Sequence, residues 1–471
     1  MLYDVLNVIP QDISKKYSIV SYLKTEKQLK VATPHPENKD LAEVLKKIEQ
    51  DNDVKIVLMV CSQSSVAYTQ QVYALQKEKK ETQEKVVISD EGTKQQFDLD
   101  VKNLIELKDK ISQVPATELM QILFAGALSV GASDIHLEPE ENDVRIRYRV
   151  DGILQDVAKL PKSAEHVLNS RIKYLAKLKL DIKDRPQDGR FDVSEGVTPI
   201  DIRTSVLPSA YGETIVLRLL PKNKKLITLE ELGFRKEYID IINRVTSKPH
   251  GIIFNTGPTG SGKTTTNYAI LDRLNKPGVK IITLEDPIEY KIAGINQSQV
   301  EEERGYTFAS GLRSILRQDP DIIMVGEVRD AETSNIAMQA AMTGHLVLTT
   351  LHTNNASGAI PRLLDMGVKA YLVGGSINLI IAQRLVRKIH QDCQGKGCLE
   401  CNMTGFKGRV AIAELLVPNE KIEQLILRNA TLAEFENVAR ESGMMTMYED
   451  GMDKVRQGIT TKEEVLRVTQ E

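Results

Sequence analysis

Short apolar runs alternate with amphipathic segments along most of the chain. In residues 1–76, apolar positions recur at helical spacing in KDLAEVLKKIEQ, and the run VKIVLMVC is rich in β-branched residues. With a further helical stretch in PQDISKKY and strand-like runs in IVSYL and KQLKVAT, this order predicts a small α/β domain. Cys61, at the end of the last run, is expected to be a core residue.

The apolar periodicity stops in residues 77–112, where Lys, Glu and Gln dominate and KEKKETQEK stands near the start. Such a composition is typical of a solvated linker.

A second module is predicted for residues 113–222. It opens with the amphipathic segment ATELMQILFAGALSVGA and continues into DVRIRYRVDGIL, which alternates strictly. The alternation places apolar residues on one face of a strand and Arg145, Arg147 and Arg149 on the other, and the Asp-Gly pair that follows predicts a hairpin. Such an arginine stripe is usually a solvated sheet face, although it could meet a nucleotide or a neighbouring subunit.

The motif GPTGSGKT at 257–264 carries the strongest chemical signal. It lies between GIIFNTG, which reads as a buried strand, and the helix-forming TTTNYAILDRLN. In the pattern G-x-x-x-x-G-K-[ST] the glycines let backbone N–H groups converge on phosphate oxygens, and the helix adds its positive end. Lys263 would reach the β- and γ-phosphates of ATP, and the Thr264 hydroxyl would hold Mg²⁺. A glycine-rich turn without nucleotide is the alternative. The expected nucleotide-binding residues are Gly257, Pro258, Thr259, Gly260, Ser261, Gly262, Lys263, Thr264 and Thr265.

Two further strands are predicted to end in acidic residues. VKIITLEDPIEY supplies Glu285, Asp286 and Glu289, and LRQDPDIIMVGEVRD stops at Glu327. A carboxylate at that strand end can orient the lytic water in line with the γ-phosphate; a capping or salt-bridging glutamate is the structural alternative. Gly326 stands where many nucleotidases have Asp, which leaves metal coordination to Thr264, water and the Glu285 cluster.

A third strand, GHLVLTTLHTNNA, carries His345 and His352 at its two ends. An isolated histidine is more often a structural hydrogen-bonding group than a catalyst. Here we expect the strand order to set both histidines beside the phosphate site.

Composition bounds the class of protein. A chain of 471 residues is long enough for about three domains. The formal net charge of -3 shows no basic bias towards nucleic acid. We expect no signal peptide and no bilayer span, and the four cysteines favour a reducing compartment over a disulfide framework. Contact with a membrane is therefore expected only through partners.

Nine blocks, in order, resemble the ATPases of type II secretion and type IV pili. The resemblance runs from about Pro115 to the C-terminus, and the N-terminal module is similar to the N-terminal domain of pilus assembly and secretion ATPases. Because retraction ATPases generally lack that domain, an extension motor of the PilB type is favoured, with the GspE type of type II secretion as the alternative. The blocks are GASDIHLEP, YRVDGIL, RPQDGRF, GPTGSGKTTT, TLEDPIEY, LRQDPDIIMVGEVRD, TGHLVLTTLHTN, QRLVRKI and TGFKGRVAIAELL.

The resemblance implies a multidomain α/β fold. It consists of a small α/β N-terminal domain, a PAS-like α+β second domain and a RecA-like P-loop NTPase motor domain with a helical C-terminal cap. The N-terminal domain is predicted at 1–76, the second domain at 113–222 and the motor domain at 242–471, with linkers at 77–112 and 223–241. The motor domain includes a metal-binding segment at 388–404 and the helical cap at 418–471.

The resemblance also implies a homohexameric ring in which the second module of one subunit packs on the nucleotide domain of the next. Glu285 and Glu289 match the family's acidic box, and Glu327 its Walker B motif. His345 and His352 match the family's histidine box. Arg203 and Arg218 match two arginines that approach the phosphates in the family; their alternative role is that of charged residues on the sheet surface. The expected partners are an inner-membrane platform protein and a cytoplasmic adaptor, and the expected location is the cytoplasm, at the inner face of the membrane.

Two departures from the family matter. Many relatives open with a longer repeat that binds cyclic di-GMP; this chain begins too late to hold it, so no cyclic di-GMP site is expected. Many also carry two C-x-x-C pairs, whereas here the pairs are His390-x-x-Cys393 and Cys398-x-x-Cys401. If His390 replaces a cysteine, the four residues complete a tetrahedral zinc site. A metal-free vestige is the alternative, and an iron–sulfur cluster would need a further nearby cysteine.

Two rival functions stay open. A hexameric nucleic-acid translocase is disfavoured by the balanced charge and the lack of aromatic-basic clusters. A regulator that binds ATP without hydrolysis is disfavoured because Lys263, Thr264 and Glu327 are all present.

Overall fold

The computed structural model divides the chain into two compact units, residues 1–87 with 191–194, and residues 88–190 with 195–471. The residues that the structure describes are 5, 8–24, 28–38, 40–52, 54–66, 85–87, 104, 107, 111, 119–195, 198–221 and 226–470.

The first unit contains the predicted α/β domain. Its sheet has the order β1-β2-β3, with β1 and β2 antiparallel and β2 and β3 parallel. Leu29 and Val31 of β2 are buried together with Leu41 and Ile48 of α2, because strand alternation and helical spacing turn these residues to the same interface. The elements are α1 (Gln11–Tyr17), β1 (Val20–Lys24), β2 (Gln28–Thr33), α2 (Leu41–Asn52), β3 (Lys55–Val60) and β4 (Lys85–Val87).

The segment 77–112, predicted to be a solvated linker, contains a few described residues that are paired or buried. Much of that segment lies outside the described residues, but β4 pairs in parallel with 192–194 within the first unit. In the second unit, Leu104, Leu107 and Ile111 are buried. The sparse aliphatic residues among many charges are therefore packing positions, which composition alone does not distinguish from a linker.

The second unit begins with a helix and a largely antiparallel sheet that contains the neighbouring order β9-β10-β5-β6-β7. The hairpin between β6 and β7 forms as predicted, since Asp151 and Gly152 both have positive φ. The elements are α3 (Leu119–Ser129), β5 (Asp134–Pro139), β6 (Asp143–Val150), β7 (Ile153–Pro161), α4 (Ser163–Leu175), β8 (Gln187–Glu195, of which 191–194 belong to the first unit), β9 (Thr198–Ser209) and β10 (Gly212–Pro221).

The arginine stripe of β6 is neutralised within its own sheet. Arg145 makes a bidentate bond to Asp156 at 2.7 and 2.8 Å, and Arg147 lies 2.5 Å from Glu138. These pairs support the reading of a solvated sheet face.

A mostly parallel sheet of order β13-β12-β14-β15-β11-β16-β17 forms the rest of the second unit, with only β17 antiparallel to its neighbour. Apolar clusters cover both faces, which is why β11, β14 and β15 read as continuous apolar runs. The elements are α5 (Lys236–Thr246), β11 (Gly251–Thr256), α6 (Lys263–Leu274), β12 (Ile281–Glu285), β13 (Asn296–Gln299), α7 (Phe308–Ile315), β14 (Ile322–Val325), α8 (Ala331–Met342), β15 (Leu346–Leu351), α9 (Ala359–Asp365), α10 (Ala370–Ser376), β16 (Ile377–Ile389) and β17 (Phe406–Leu416).

Four helices follow β17, in the segment predicted to form a helical C-terminal cap. Thr431 caps α12 in a reciprocal box with Glu434, and Thr461 caps α14. No helix among the described residues is long and apolar enough to cross a bilayer. The helices are α11 (Glu420–Leu427), α12 (Leu432–Glu441), α13 (Met447–Arg456) and α14 (Lys462–Thr469).

Candidate active site and metal site

The phosphate-binding loop connects β11 to α6, as its spacing predicts. Gly257 has φ 146°, and a Cβ there would lie 2.7 Å from the carbonyl oxygen of Gln383, so only glycine fits without displacement. The Gln383 side chain braces the loop from β16: it accepts from Asn255 Nδ2 at 3.1 Å and donates to the Ser261 carbonyl at 2.8 Å. Pro258, Thr259 and Gly260 form the exposed tip of the loop, and Gly262, Lys263, Thr264 and Thr265 are half-buried.

Lys263 bends back over the loop. Its Nζ donates to the carbonyls of Gly257 at 2.7 Å and Pro258 at 3.2 Å. Burial disfavours the ammonium and lowers the pKa of Lys263 to about 8, with Glu327 opposing that shift and Arg384 adding to it. The lysine is therefore held beside the loop backbone and within electrostatic reach of Glu327.

Glu327 follows β14 at the carboxyl edge of the sheet, where its side chain is 14% exposed. Its Oε2 lies 3.6 Å from His352 Nε2, and its Oε1 lies 2.5 Å from Arg329 Nη2. Burial, with Lys263 and Arg329, lowers the pKa of His352, while Glu327 raises it. The structure thus brings together three predicted residues, Glu327, His352 and Lys263.

Close packing against β12 explains why glycine stands at position 326. Its N–H donates to the Leu284 carbonyl at 2.7 Å, and a Cβ would lie 3.3 Å from that oxygen and 3.4 Å from Glu285 Cα. The close approach of β12 leaves little space for an aspartate at this position.

Glu285 is the centre of a buried hydrogen-bond network. Its carboxylate accepts from Tyr268, from Thr283 at 2.6 Å and from Gln297 at 3.2 Å, and the residue is 2% exposed. Burial raises the pKa of Glu285, although these hydrogen bonds oppose the shift. The geometry suits a residue that positions the end of β12 behind the phosphate-binding loop.

The two predicted arginines occupy different surroundings. Arg203 Nη1 lies 3.8 Å from Glu289, and its Nη2 donates to the Ile288 carbonyl at 3.3 Å, so Arg203 reaches the acidic loop. Arg218 donates to Asp134 at 2.9 Å within its own sheet, with its side chain 54% exposed.

The expectation that both histidines lie beside the phosphate site is wrong for His345. This residue precedes β15, and its carbonyl accepts from the N–H of Gly251 at the start of β11. Its Nδ1 lies 3.1 Å from the Ala340 carbonyl. The strand between the two histidines spans about 20 Å at ~3.3 Å per residue, so parallel strands place only His352 at the phosphate edge.

Several residues that shape the site were missed. Gln383 and Arg384 stand in the quoted block QRLVRKI, and both are buried against the loop. Thr256 and Thr353 join the ends of β11 and β15 through their hydroxyls at 2.7 Å. One signal could have indicated this buried polar contact: the apolar strand β16 carries Gln and Arg consecutively at its centre.

His390, Cys393, Cys398 and Cys401 meet in one cluster, with all four potential ligand atoms within 4.8 Å of one another. The Sγ atoms of Cys393 and Cys398 lie 3.8 and 3.7 Å from that of Cys401, close to the ~3.8 Å edge of a tetrahedron with 2.3 Å zinc–sulfur bonds. His390 Nδ1 lies 3.4 Å from Cys398 Sγ. The donor set and its spacing therefore fit Zn²⁺.

A carboxylate orients the histidine of this cluster. Asp392 lies 3.3 Å from His390 Nε2, which leaves Nδ1 as the ligand atom. The N–H groups of Cys398 and Gly405 point at Cys401 Sγ. Burial alone would raise the pKa of Cys401, but these hydrogen bonds lower it to about 6 and so favour the thiolate that a metal needs.

Comparison with known proteins decides the family. The model of the family described as "Type II/IV secretion system protein" matches residues 109–467. The chain belongs to this family. Its sequence is 46% identical to type II secretion system protein E of Xanthomonas campestris pv. campestris, over 78% of this chain and 69% of that protein. It is 36% identical to the type IV pilus assembly ATPase PilB of Myxococcus xanthus, over 98% of this chain and 86% of that protein.

The secretion ATPase fold is confirmed by a solved structure. The pilus retraction motor PilT, solved with bound ADP, superposes with a TM-score of 0.53 at 30% identity, over 76% of this chain and 98% of that protein. The chain is therefore an ATPase with a RecA-like motor domain, and the multidomain α/β class predicted from its sequence is confirmed.

Proposed function

We propose that this secretion ATPase forms a hexameric ring that hydrolyses ATP to assemble a type IV pilus through an inner-membrane platform protein. The observation that carries the catalytic part is the meeting of Glu327, Lys263 and His352 at the carboxyl edge of the sheet. The pilus reading is supported by the alignment with the Myxococcus PilB, which includes the N-terminal unit.

A motor for type II secretion, driving a pseudopilus, is the second candidate. It is favoured by the higher identity to protein E of Xanthomonas, although that alignment covers a smaller part of this chain. Both candidates use the same ATPase chemistry.

In the proposed mechanism the residues 257–265 hold the phosphates of ATP, and the Thr264 hydroxyl holds Mg²⁺. Mg²⁺ held there would neutralise charge on the phosphates. Lys263 supplies a positive charge to the β- and γ-phosphates, and Glu327 orients the water that attacks. His352 adjoins Glu327 and fixes the direction of that carboxylate.

Arg203 and Arg218 are proposed to stabilise transition-state charge, with at least one of them acting on a neighbouring subunit. Their support is the position of Arg203 at the acidic loop beside Glu289 and the exposure of Arg218. The proposed ring works at the cytoplasmic face of the inner membrane, with an adaptor and the platform protein as partners. Glu285 and Glu289 are proposed to act through positioning, since Glu285 is enclosed by side-chain donors and Glu289 lies beside Arg203.

A structural zinc ion is proposed for His390, Cys393, Cys398 and Cys401. The support is the set of distances between their ligand atoms. Zinc in such a site contributes to folding and takes no part in hydrolysis.

The experiment that tests the proposal measures phosphate release by the full chain and its Glu327→Gln variant, with molar mass from light scattering, with and without ATP. Hexamers whose turnover collapses in the variant support the ring ATPase. A monomer with equal, negligible turnover in both proteins contradicts it. Salt-sensitive stimulation by DNA would favour a translocase instead.

A further inference from the structure

The residues 352–358 between β15 and α9, here called the His352 loop, carry His352 to Glu327. The front of the loop is tied to the phosphate-binding strand, because Thr353 N donates to Thr256 Oγ1 at 2.8 Å. This hydrogen bond fixes the end of the loop that follows β15; other contacts hold the remaining residues.

The back of the loop is held by three side chains from other elements. Arg384 Nη2 donates to the Asn354 carbonyl at 3.1 Å, and Asn355 Nδ2 donates to Glu436 at 2.7 Å. The N–H of Ala356 donates to Glu414 Oε1 at 2.7 Å.

Glu414 lies on β17 and is 4% exposed. Its second oxygen, Oε2, accepts from the N–H of Met447 at 3.1 Å, at the first residue of α13. Burial raises the pKa of Glu414 and the nearby Glu436 adds to the shift, whereas the two amide bonds and Arg384 favour the ionised form. One buried carboxylate thus joins two backbone amides, one on the His352 loop and one in the C-terminal helices.

Such a bridge is stiff. A buried carboxylate cannot exchange these amides for water without cost, so a shift of α13 carries Ala356 with it. His352 is four residues away on the same short loop. Glu436, on α12, adds a second tie between the loop and the C-terminal helices through Asn355.

We propose that Glu414 is a positioning residue for ATP hydrolysis, whose carboxylate couples helix α13 to the His352 loop and so sets His352 against Glu327, with the Glu436–Asn355 bond adding a tie from α12. The proposal rests on the function proposed above for Glu327 and His352. It identifies the C-terminal helices as the part of the motor whose displacement is transmitted to the hydrolytic residues.

The test uses the full chain with Glu414→Gln, which keeps the size of the side chain but presents an NH₂ group to one of the two amides. Single-turnover phosphate release and binding of a fluorescent ADP are measured. We expect kcat to fall about tenfold, less than the ~100-fold that a 1 Å misplacement at an active site can cost. ADP affinity is expected to stay within about twofold, since the phosphate-binding loop is untouched.

A double-mutant cycle with His352→Ala separates positioning from general destabilisation. If Glu414 acts through His352, the loss from Glu414→Gln shrinks when His352 is already absent. Fully additive losses overturn the proposal, as does wild-type kcat in either Glu414→Gln or His352→Ala.

Glu464→Gln is the matched control. Glu464 is 3% exposed and accepts from the N–H of Arg387 at 3.1 Å, but it lies on α14 and bonds neither α12, α13 nor the His352 loop. It is expected to lower the melting temperature with little effect on kcat; an equal loss of kcat overturns the proposal.

If Glu414→Gln does not fold, the same double-mutant cycle is measured with Glu436→Ala, which removes the other tie to the loop. Glu436 is only half-buried, so this variant is expected to fold. A wild-type protein that releases no phosphate would count against the proposed ATPase function itself. If instead the wild type hydrolyses ATP and the Glu414 variants have the same kcat, only the positioning role of Glu414 is overturned.

Discussion

Arg329 Nη2 lies 2.5 Å from Glu327 Oε1, so the proposed water-orienting carboxylate is shared between a guanidinium on one side and His352 on the other. The Arg329 side chain is 66% exposed, which makes this pair easy to open. We therefore expect that the pair with Arg329 opens when Glu327 orients the attacking water.

Removing this pair should increase basal hydrolysis. Arg329→Gln is expected to raise kcat by up to about fivefold, the equivalent of the ~1 kcal/mol that an exposed ion pair contributes, with an unchanged melting temperature. Phosphate release and thermal melts measure the two effects. Arg313→Gln, which opens the exposed pair with Glu332, is the control; equal stimulation by both variants would refute a specific role for Arg329.

The pH dependence of kcat/KM should report Lys263. Since kcat/KM reflects groups of the free enzyme, and burial lowers the pKa of Lys263 to about 8, kcat/KM for ATP is expected to fall as the pH rises above 8. Lys263→Arg, which keeps its charge, should lose this limb. A flat wild-type profile up to pH 10 would contradict the prediction.

The same shift has a consequence for stability with a defined sign. Between pH 8 and the ordinary lysine pKa of about 10.4, the unfolded chain binds more protons at Lys263 than the folded chain. The contribution of Lys263 to the free energy of unfolding therefore rises with pH across that window. Denaturant titrations at pH 7.5 and 10 measure this contribution. Between these two pH values, the free energy of unfolding of the wild type should rise relative to that of Lys263→Met, which lacks the titrating group.

Loss of a zinc ligand should remove the metal and lower stability. Cys398→Ser is expected to reduce bound zinc from about one per chain to nearly none and to lower the melting temperature. Asp392→Asn, which only releases His390 Nε2, should weaken zinc binding by about 10- to 100-fold. Elemental analysis and competition with a chelator measure both. Cys61→Ser is the control, and equal zinc content in the Cys398 variant would defeat the site.

Adding a side chain at Gly326 should destabilise the motor domain. Gly326→Ala brings a Cβ within 3.3 Å of the Leu284 carbonyl, so we expect a loss of about 1–3 kcal/mol in the free energy of unfolding. Gly374→Ala is the matched control, since the nearest atom to its Cβ is 4.0 Å away. Gly326→Asp should show lower, not higher, turnover, because its carboxylate enters a space filled by β12.

Much of the motor domain was predictable because the evidence is local. The phosphate-binding loop is defined by eight consecutive residues between an apolar run and a helix, and strand alternation followed by the pair Asp151-Gly152 predicted the β6–β7 hairpin. The metal cluster follows from spacings of three residues, as a short turn can bring such pairs together.

The sequence by itself therefore determined most of the secondary-structure order, the phosphate-binding loop, the acidic strand end at Glu327 and the four residues of the candidate metal site. Only the tertiary structure decided which of these meet. It placed His345 at the far edge of the sheet, enclosed Glu285 behind α6 and brought Glu414 to a loop 58 residues earlier in the chain. The physical reason is that burial and contact across a sheet depend on strand order and direction, which local periodicity does not contain.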